Sequence, residues 1–211
     1  MWNRSYANAR MKPYEQRRNR NAHTRRPDRP AGVGKMTVGQ ELEHLTGFPL
    51  FHVHQVIDLA LRYFPYSTTP RSPYRRLVEG YRALFFAEAA CAGLSVITTA
   101  GWRFDLPTDT EAMHGYAPPF LARGGRVYVA ELLAALETRL ARNRTENRRR
   151  HKRTDWATDD VLRQDDAHHR YDSGGTLPLD LPLLHLETDH LTARETAERI
   201  RAHFALPLAA R

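Results

Sequence analysis

Residues 1–30 contain no leucine, isoleucine, valine or phenylalanine. A segment without those side chains has nothing to bury, and burial is what offsets the entropy of ordering a chain. Residues 1–29 therefore read as a disordered arm, and any domain has to be built from residues 30–211. The arm is also basic. It holds Arg4, Arg10, Lys12, Arg17, Arg18, Arg20, Arg25, Arg26 and Arg29 against Glu15 and Asp28 alone.

The whole chain of 211 residues carries a formal charge of +8, of which +7 lies in residues 1–30 and +1 in the rest. This argues against a uniformly basic nucleic-acid-binding domain and leaves only weak binding through the arm. With 41% hydrophobic residues, the remainder is rich enough for one core. Cys91 is the only cysteine. It rules out a disulfide within the chain and any zinc site with two thiolates, and it suits a reducing, cytoplasmic setting. It is expected in the core. No apolar run approaches the roughly 18 residues that span a bilayer. The N-terminus lacks the apolar stretch of a secretory signal, so no membrane association is expected.

From Gly32 onward, helical and strand periodicities alternate. Met36 to Leu45 predicts a helix burying Val38, Leu42 and Leu45, stopped by Gly47. Phe48 to Phe51 predicts a short strand. Gln55 to Tyr63 predicts a helix with Val56, Leu59, Ala60 and Tyr63 inward. Tyr74 to Ala92 predicts a long helix burying Leu77, Tyr81, Leu84, Phe85 and Ala89. Leu94 to Thr99 and Arg126 to Leu132 predict buried strands, and Leu183 to Leu186 a third. A helix is expected from Asp109, broken near Pro118-Pro119. Others are expected up to about Arg144, from Asp159 to Tyr171, and from Thr192, as its cap, to Phe204. Strands alternating with helices imply a parallel sheet with helices on both faces, and ligands beyond the carboxyl ends of its strands.

One segment has the chemistry of a phosphate-binding turn: Pro30-Ala31-Gly32-Val33-Gly34-Lys35-Met36-Thr37. Glycines let backbone N–H groups curl around phosphate, the following helix adds its dipole, the lysine neutralises charge, and a hydroxyl holds Mg²⁺. The match is partial. Arg29 stands where the first glycine of such a loop belongs, and Met36 stands at the hydroxyl position, with Thr37 one place later. A glycine-rich turn before a helix, with no ligand, explains the segment equally simply.

Residues 30–206 resemble small P-loop kinases of the shikimate, gluconate and chloramphenicol phosphotransferase type, and bacterial AAA-labelled ATP-binding proteins. The resemblance rests on Gly34-Lys35-Met36-Thr37-Val38-Gly39-Gln40-Glu41-Leu42 followed by Leu50-Phe51-His52-Val53-His54-Gln55-Val56-Ile57-Asp58-Leu59. His54 matches the family's histidine, and Val53 replaces its asparagine. The resemblance implies a three-layer P-loop NTPase-like α/β fold, a parallel sheet with helices on both faces. It also implies ATP and Mg²⁺ as cofactors and a small hydroxylated acceptor. Gly32, Val33, Gly34, Lys35, Met36 and Thr37 would hold the nucleotide, with Lys35 on phosphate and Thr37 on the metal.

The same resemblance implies roles further along. Asp58 would meet the acceptor hydroxyl, where a carboxylate can orient it or take its proton. His54 and Arg82, the latter within Tyr81-Arg82-Ala83-Leu84-Phe85, would bind the acceptor, Arg82 as a fork for an anionic group. Plain helix-surface charge is the rival reading of both Asp58 and Arg82. The basic stretch Arg139 to Arg153 resembles the mobile lid, placed near residues 142–156, with Arg142 and Arg149 turned to the triphosphate. An exposed basic helix or an RNA-binding patch is its alternative. Asp189, after the last strand, would sit by the adenine, or would belong to a simple strand-to-helix turn. His52 and His54 would share a side if extended, but no third ligand stands at a usual spacing.

The strand that should precede the phosphate turn is missing. Thr24 to Pro30 holds two prolines and three arginines, which no buried central strand accommodates. The first strand is therefore expected to be absent or replaced, as a wrong start or a shifted upstream frame would leave it. The expectation is an ATP-dependent small-molecule kinase impaired by its degenerate loop. Its rivals are a non-catalytic nucleotide-binding regulator and a module that binds nucleic acid through the basic arm.

Overall fold

The computed structural model describes residues 32–67, 69, 71–145 and 159–209. The predicted basic arm, most of the predicted lid and Arg149 lie outside the described residues.

Helix α1 (Lys35–Thr46) starts and stops on left-handed glycines, Gly34 at φ 96° and Gly47 at φ 73°, a conformation that costs glycine little. Strand β1 (Leu50–Phe51) follows, then α2 (His54–Tyr63) and α3 (Pro73–Cys91). Helix α3 opens with proline in its first turn and the Ser72 hydroxyl accepting from the Arg75 amide. Next come β2 (Ile97–Thr98), α4 (Pro107–His114), α5 (Pro118–Leu121), β3 (Val129–Leu133) and α6 (Leu136–Asn143). The chain ends with α7 (Asp159–His168), β4 (Leu183–Glu187) and α8 (Ala193–His203).

Among the described residues, the strands form two parallel pairs rather than one sheet. β1 pairs with β2 in the register Leu50 to Ile97, and β3 pairs with β4 from Val129–Leu183 to Leu133–Glu187. Parallel neighbours need a crossover. Here α2 and α3 connect the first pair, and α6 and α7 lie between the strands of the second. The expectation of a parallel α/β arrangement holds in this coarser form. The predicted strand at 94–99 shrinks to two half-buried residues, because β2 has a partner on one side only. Likewise, Phe48 to Phe51 pairs over two residues alone.

Helix α1 packs on α8 around Val38, Leu42, Leu45, Ala197, Ile200 and Phe204, with Ile97, Ala130, Leu132 and Leu184 against them. A second core gathers Phe51, Val53, Val56, Ile57, Ala60, Tyr74, Val78 and Phe86. A small third one joins Leu140 to Leu162.

Two predicted faces are corrected. Helix α2 buries Ile57 and leaves Leu59 and Tyr63 exposed; α3 buries Tyr74, Val78, Phe86, Ala89 and Ala90, while Leu77, Tyr81 and Leu84 face out. Helix α3 carries two apolar stripes, and the one that finds partners wins. Phe86 packs edge-on to Phe51, with ring centroids 5.5 Å apart, and lies 4.9 Å from the Tyr116 ring. Cys91 is exposed rather than in the core; it ends α3, and its sulfur accepts from Arg123 Nη2 at 2.9 Å.

Candidate functional site

The turn before α1 is built on two glycines of positive φ. Gly32 has φ 91° and Gly34 φ 96°. Gly32 is buried, and a Cβ there would strike the backbone of Arg139 in α6. Glycine is therefore required twice, once for conformation and once for close approach. Gly34 also means that no side chain caps α1, so the helix presents its N-terminal end to an incoming anion.

Gly32, Val33, Met36 and Thr37 line one wall of a cavity of about 280 Å³. Thr188, Thr192 and Thr196 line the facing wall, where α8 begins. Helix α8 is closed by a capping box: the Thr192 hydroxyl accepts from the Glu195 amide, and the Glu195 carboxylate takes the Thr192 amide. Two helix N-termini thus border one cavity.

Arg142 ties these walls together. Its guanidinium donates to Val33 O at 3.2 Å, Thr188 Oγ1 at 3.0 Å, Thr188 O at 2.6 Å and Leu191 O at 3.4 Å. Arg142 reaches the predicted region, but from α6 and as a brace between the glycine turn and the loop after β4. Asp189 serves the neighbouring helix. Its carboxylate accepts from the Ala135 amide at 3.0 Å and the Thr138 hydroxyl at 2.5 Å, closing the N-terminus of α6 from outside. The Thr138 hydroxyl, opposed by partial burial, keeps the Asp189 carboxyl below the usual aspartate range.

A second cavity of about 350 Å³ lies on the other side of the first turn of α1. Gln40, Glu43, Gln55 and Asp58 line it. Met36 and His52 line both cavities, so the two meet there. The sequence reading placed Asp58 here but missed Gln40, Glu43, Gln55 and His52. They are scattered over α1, a loop and α2, and no spacing rule joins them. The only sequence signal was helical spacing, with Gln40 and Glu43 four and seven positions after Met36 and Gln55 three before Asp58. His54 and Arg82 lie on α2 and α3, outside the lining of this cavity. Lys35 borders neither. It lines a larger cavity of about 600 Å³ between the strand pairs.

One cluster with metal-ligating chemistry escaped the sequence reading. Ligand atoms of Glu131, Asp172 and His185 lie within 4.8 Å of one another, with His185 Nε2 at 2.9 Å from Asp172 Oδ1. Ser173 hydrogen-bonds Glu131 through both its amide and its hydroxyl, so the group is held by internal bonds.

The chain is similar to an unliganded sugar kinase from Janibacter sp. HTCC2649, with a TM-score of 0.53 and 17% identity, over 83% of this chain and 90% of that one. It is similar to a "putative kinase" from Chloroflexus aurantiacus j-10-fl, with a TM-score of 0.53 and 19% identity, over 82% of this chain and 90% of that one. The tunicamycin resistance protein of Deinococcus radiodurans aligns over 85% of this chain and 94% of its own, at 19% identity and a TM-score of 0.47. At such identities the first two show a shared fold, mixed α/β with small parallel sheets. No family model and no curated protein matches the chain. Among the described residues, no helix is long and apolar enough to cross a membrane.

Proposed function

We propose that the protein binds ATP with Mg²⁺ on the Gly32–Gly34 turn and transfers its terminal phosphoryl group to a hydroxyl of a small acceptor. The observation that carries this is the pairing of two cavities across Met36 and His52, one at the uncapped start of α1 and one lined by Asp58. Phosphoryl transfer needs this division: a donor held by backbone amides and cations, an acceptor oriented beside it, and a shared wall where they meet. The kinase names of the structural neighbours agree with this reading. The reading takes in the three-layer P-loop architecture and the nucleotide roles of Gly32, Val33, Gly34, Lys35, Met36 and Thr37 that the sequence resemblance implies. The donor cavity fits the phosphate end of a nucleotide, being slightly smaller than the roughly 300–1,000 Å³ of ordinary small-molecule pockets. Thr37 lines it and offers a hydroxyl to Mg²⁺, which keeps most of its shell as phosphate oxygens and water. Asp58 orients the acceptor.

A second reading draws on Arg142. Its donors are directed at three carbonyls and a hydroxyl, away from a role on the γ-phosphoryl group. This favours a nucleotide-binding protein without transfer activity. Calorimetric titration with Mg-ATP tests what both readings share: sub-millimolar binding is expected. Undetectable binding by the wild-type chain overturns both. ADP release with a panel of sugars, nucleosides and shikimate-like acids then separates them, since only the kinase gives acceptor-dependent turnover.

A further inference from the structure

The cavity lined by Asp58 is acidic. Two carboxylates, Glu43 and Asp58, and two amides, Gln40 and Gln55, face it. Among the described residues no lysine or arginine lines it, and His52 is the lone lining group able to carry positive charge. Among the same residues neither Glu43 nor Asp58 joins an ion pair. Both charges are therefore left for whatever enters. An acceptor bearing a carboxylate or phosphate would meet two like charges with no arginine or lysine to offset them. Arg82, which the sequence reading assigned to such a group, lies on α3 outside this lining.

We infer, on the basis of the kinase reading, that the acceptor is a polyhydroxylated amine that enters as a cation, an amino sugar being the simplest example. Met36, Gln40 and Glu43 follow one another along one stripe of α1. Glu43 stands two turns, about 10 Å, along the helix from Met36 and so from the wall shared with the donor cavity. Its Oε1 accepts from the Leu50 amide at 2.8 Å, which fixes the carboxylate at that far end. The ammonium pairs with Glu43 there, and the reacting hydroxyl lies at the near end, by Met36 and His52. Asp58 keeps its role on that hydroxyl. Gln40 and Gln55 suit the remaining hydroxyls, because an amide side chain both donates and accepts. Other occupants fit less well. A nucleoside base needs an aromatic platform, and beyond the His52 imidazole the apolar lining is Met36 and Leu50. A bare divalent ion needs convergent ligand atoms. Among the described residues only Glu131, Asp172 and His185 bring three such groups within 4.8 Å, so Glu43, His52 and Asp58 are spread too widely to share one. A neutral sugar satisfies the amides and leaves Glu43 without a counter-charge.

The test uses the full chain with three congeners of one ring: glucosamine, glucose and glucuronate, as cation, neutral molecule and anion. Binding is read from the NMR shifts of the Gln40 and Gln55 side-chain amides, and transfer from ADP release with Mg-ATP. Glucosamine is expected to bind about tenfold or more tightly than glucose, the scale of one close charge pair at a protein surface. Glucuronate is expected not to bind. Added salt should shrink the preference for the amine. Glu43→Gln, which keeps an oxygen for the Leu50 amide, should remove it. Equal binding of glucosamine and glucose, binding of glucuronate, or no binding by any of the three overturns the inference. An amine preference undiminished in Glu43→Gln overturns the assignment of the ammonium to Glu43. Glucosamine binding without ADP release leaves the amine site standing and overturns the transfer reading. ADP release with glucose or glucuronate in preference to glucosamine does the reverse.

Discussion

Asp189 shows how a single carboxylate is turned to structural use. Its oxygens replace the side-chain cap that Ala135 cannot supply to α6, and the Thr138 hydroxyl holds the charged form. A carboxyl whose folded pKa lies below its unfolded value stabilises the fold above the unfolded pKa, and that contribution disappears as pH falls through the folded one. Asp189→Asn keeps one accepting oxygen and removes the charge. Its loss of urea resistance should therefore be full above about pH 5 and shrink below about pH 4, near the ordinary aspartate value. A stability gap independent of pH across that range would show that the charge contributes nothing. The sequence reading placed Asp189 at the adenine by resemblance. The helix start it serves is 54 positions earlier in the chain, a distance no local pattern bridges.

At the scale of elements, the glycine turn, α6 and the loop before α8 are joined by Arg142. The braced groups are Val33, Thr188 and Leu191, and Thr188 itself is buried with its hydroxyl donating to Leu133 O at 2.8 Å. Arg142→Ala leaves several of these acceptors without a donor, each costing about 1–3 kcal/mol where water cannot reach it. A loss of about 2 kcal/mol in denaturant unfolding is expected on that basis. Arg142→Lys should restore less than half of it, because an ammonium lacks the planar fork. An Arg142→Ala protein as stable as wild type would assign the residue to ligand binding alone. Some helix limits were legible at this scale, since they depend on nearby signals: Gly47 as the stop of α1 and Thr192 as the cap of α8. Helix faces were less so. Two stripes on α3 satisfy the same periodicity, and the choice between them lies with Phe51 and Tyr116.

Over the whole molecule, charge is unevenly distributed along the chain. Residues 31–211 are close to neutral and residues 1–30 carry +7. Any affinity for nucleic acid should follow the arm: deletion of residues 1–29 is expected to abolish retention on single-stranded DNA, and retention by the full chain should fall steeply with added salt. Retention that survives the deletion would place an interface on the domain itself. The division of the sheet into two pairs has a related origin. A central strand of a parallel sheet is covered on both faces and needs a continuous apolar run, and the chain before Val33 has none.

Local chemistry in the sequence was enough to determine the order of helices and strands, the parallel α/β class and the glycine turn ahead of α1. Each depends on periodicity or on residues within one turn of each other. Tertiary structure alone decided that Arg142 braces a loop, that Lys35 borders the cavity between the strand pairs, and that Met36 and His52 separate two cavities. These are properties of surfaces brought together from distant parts of the chain, and they exist only once α1 and α8 have buried their shared apolar faces.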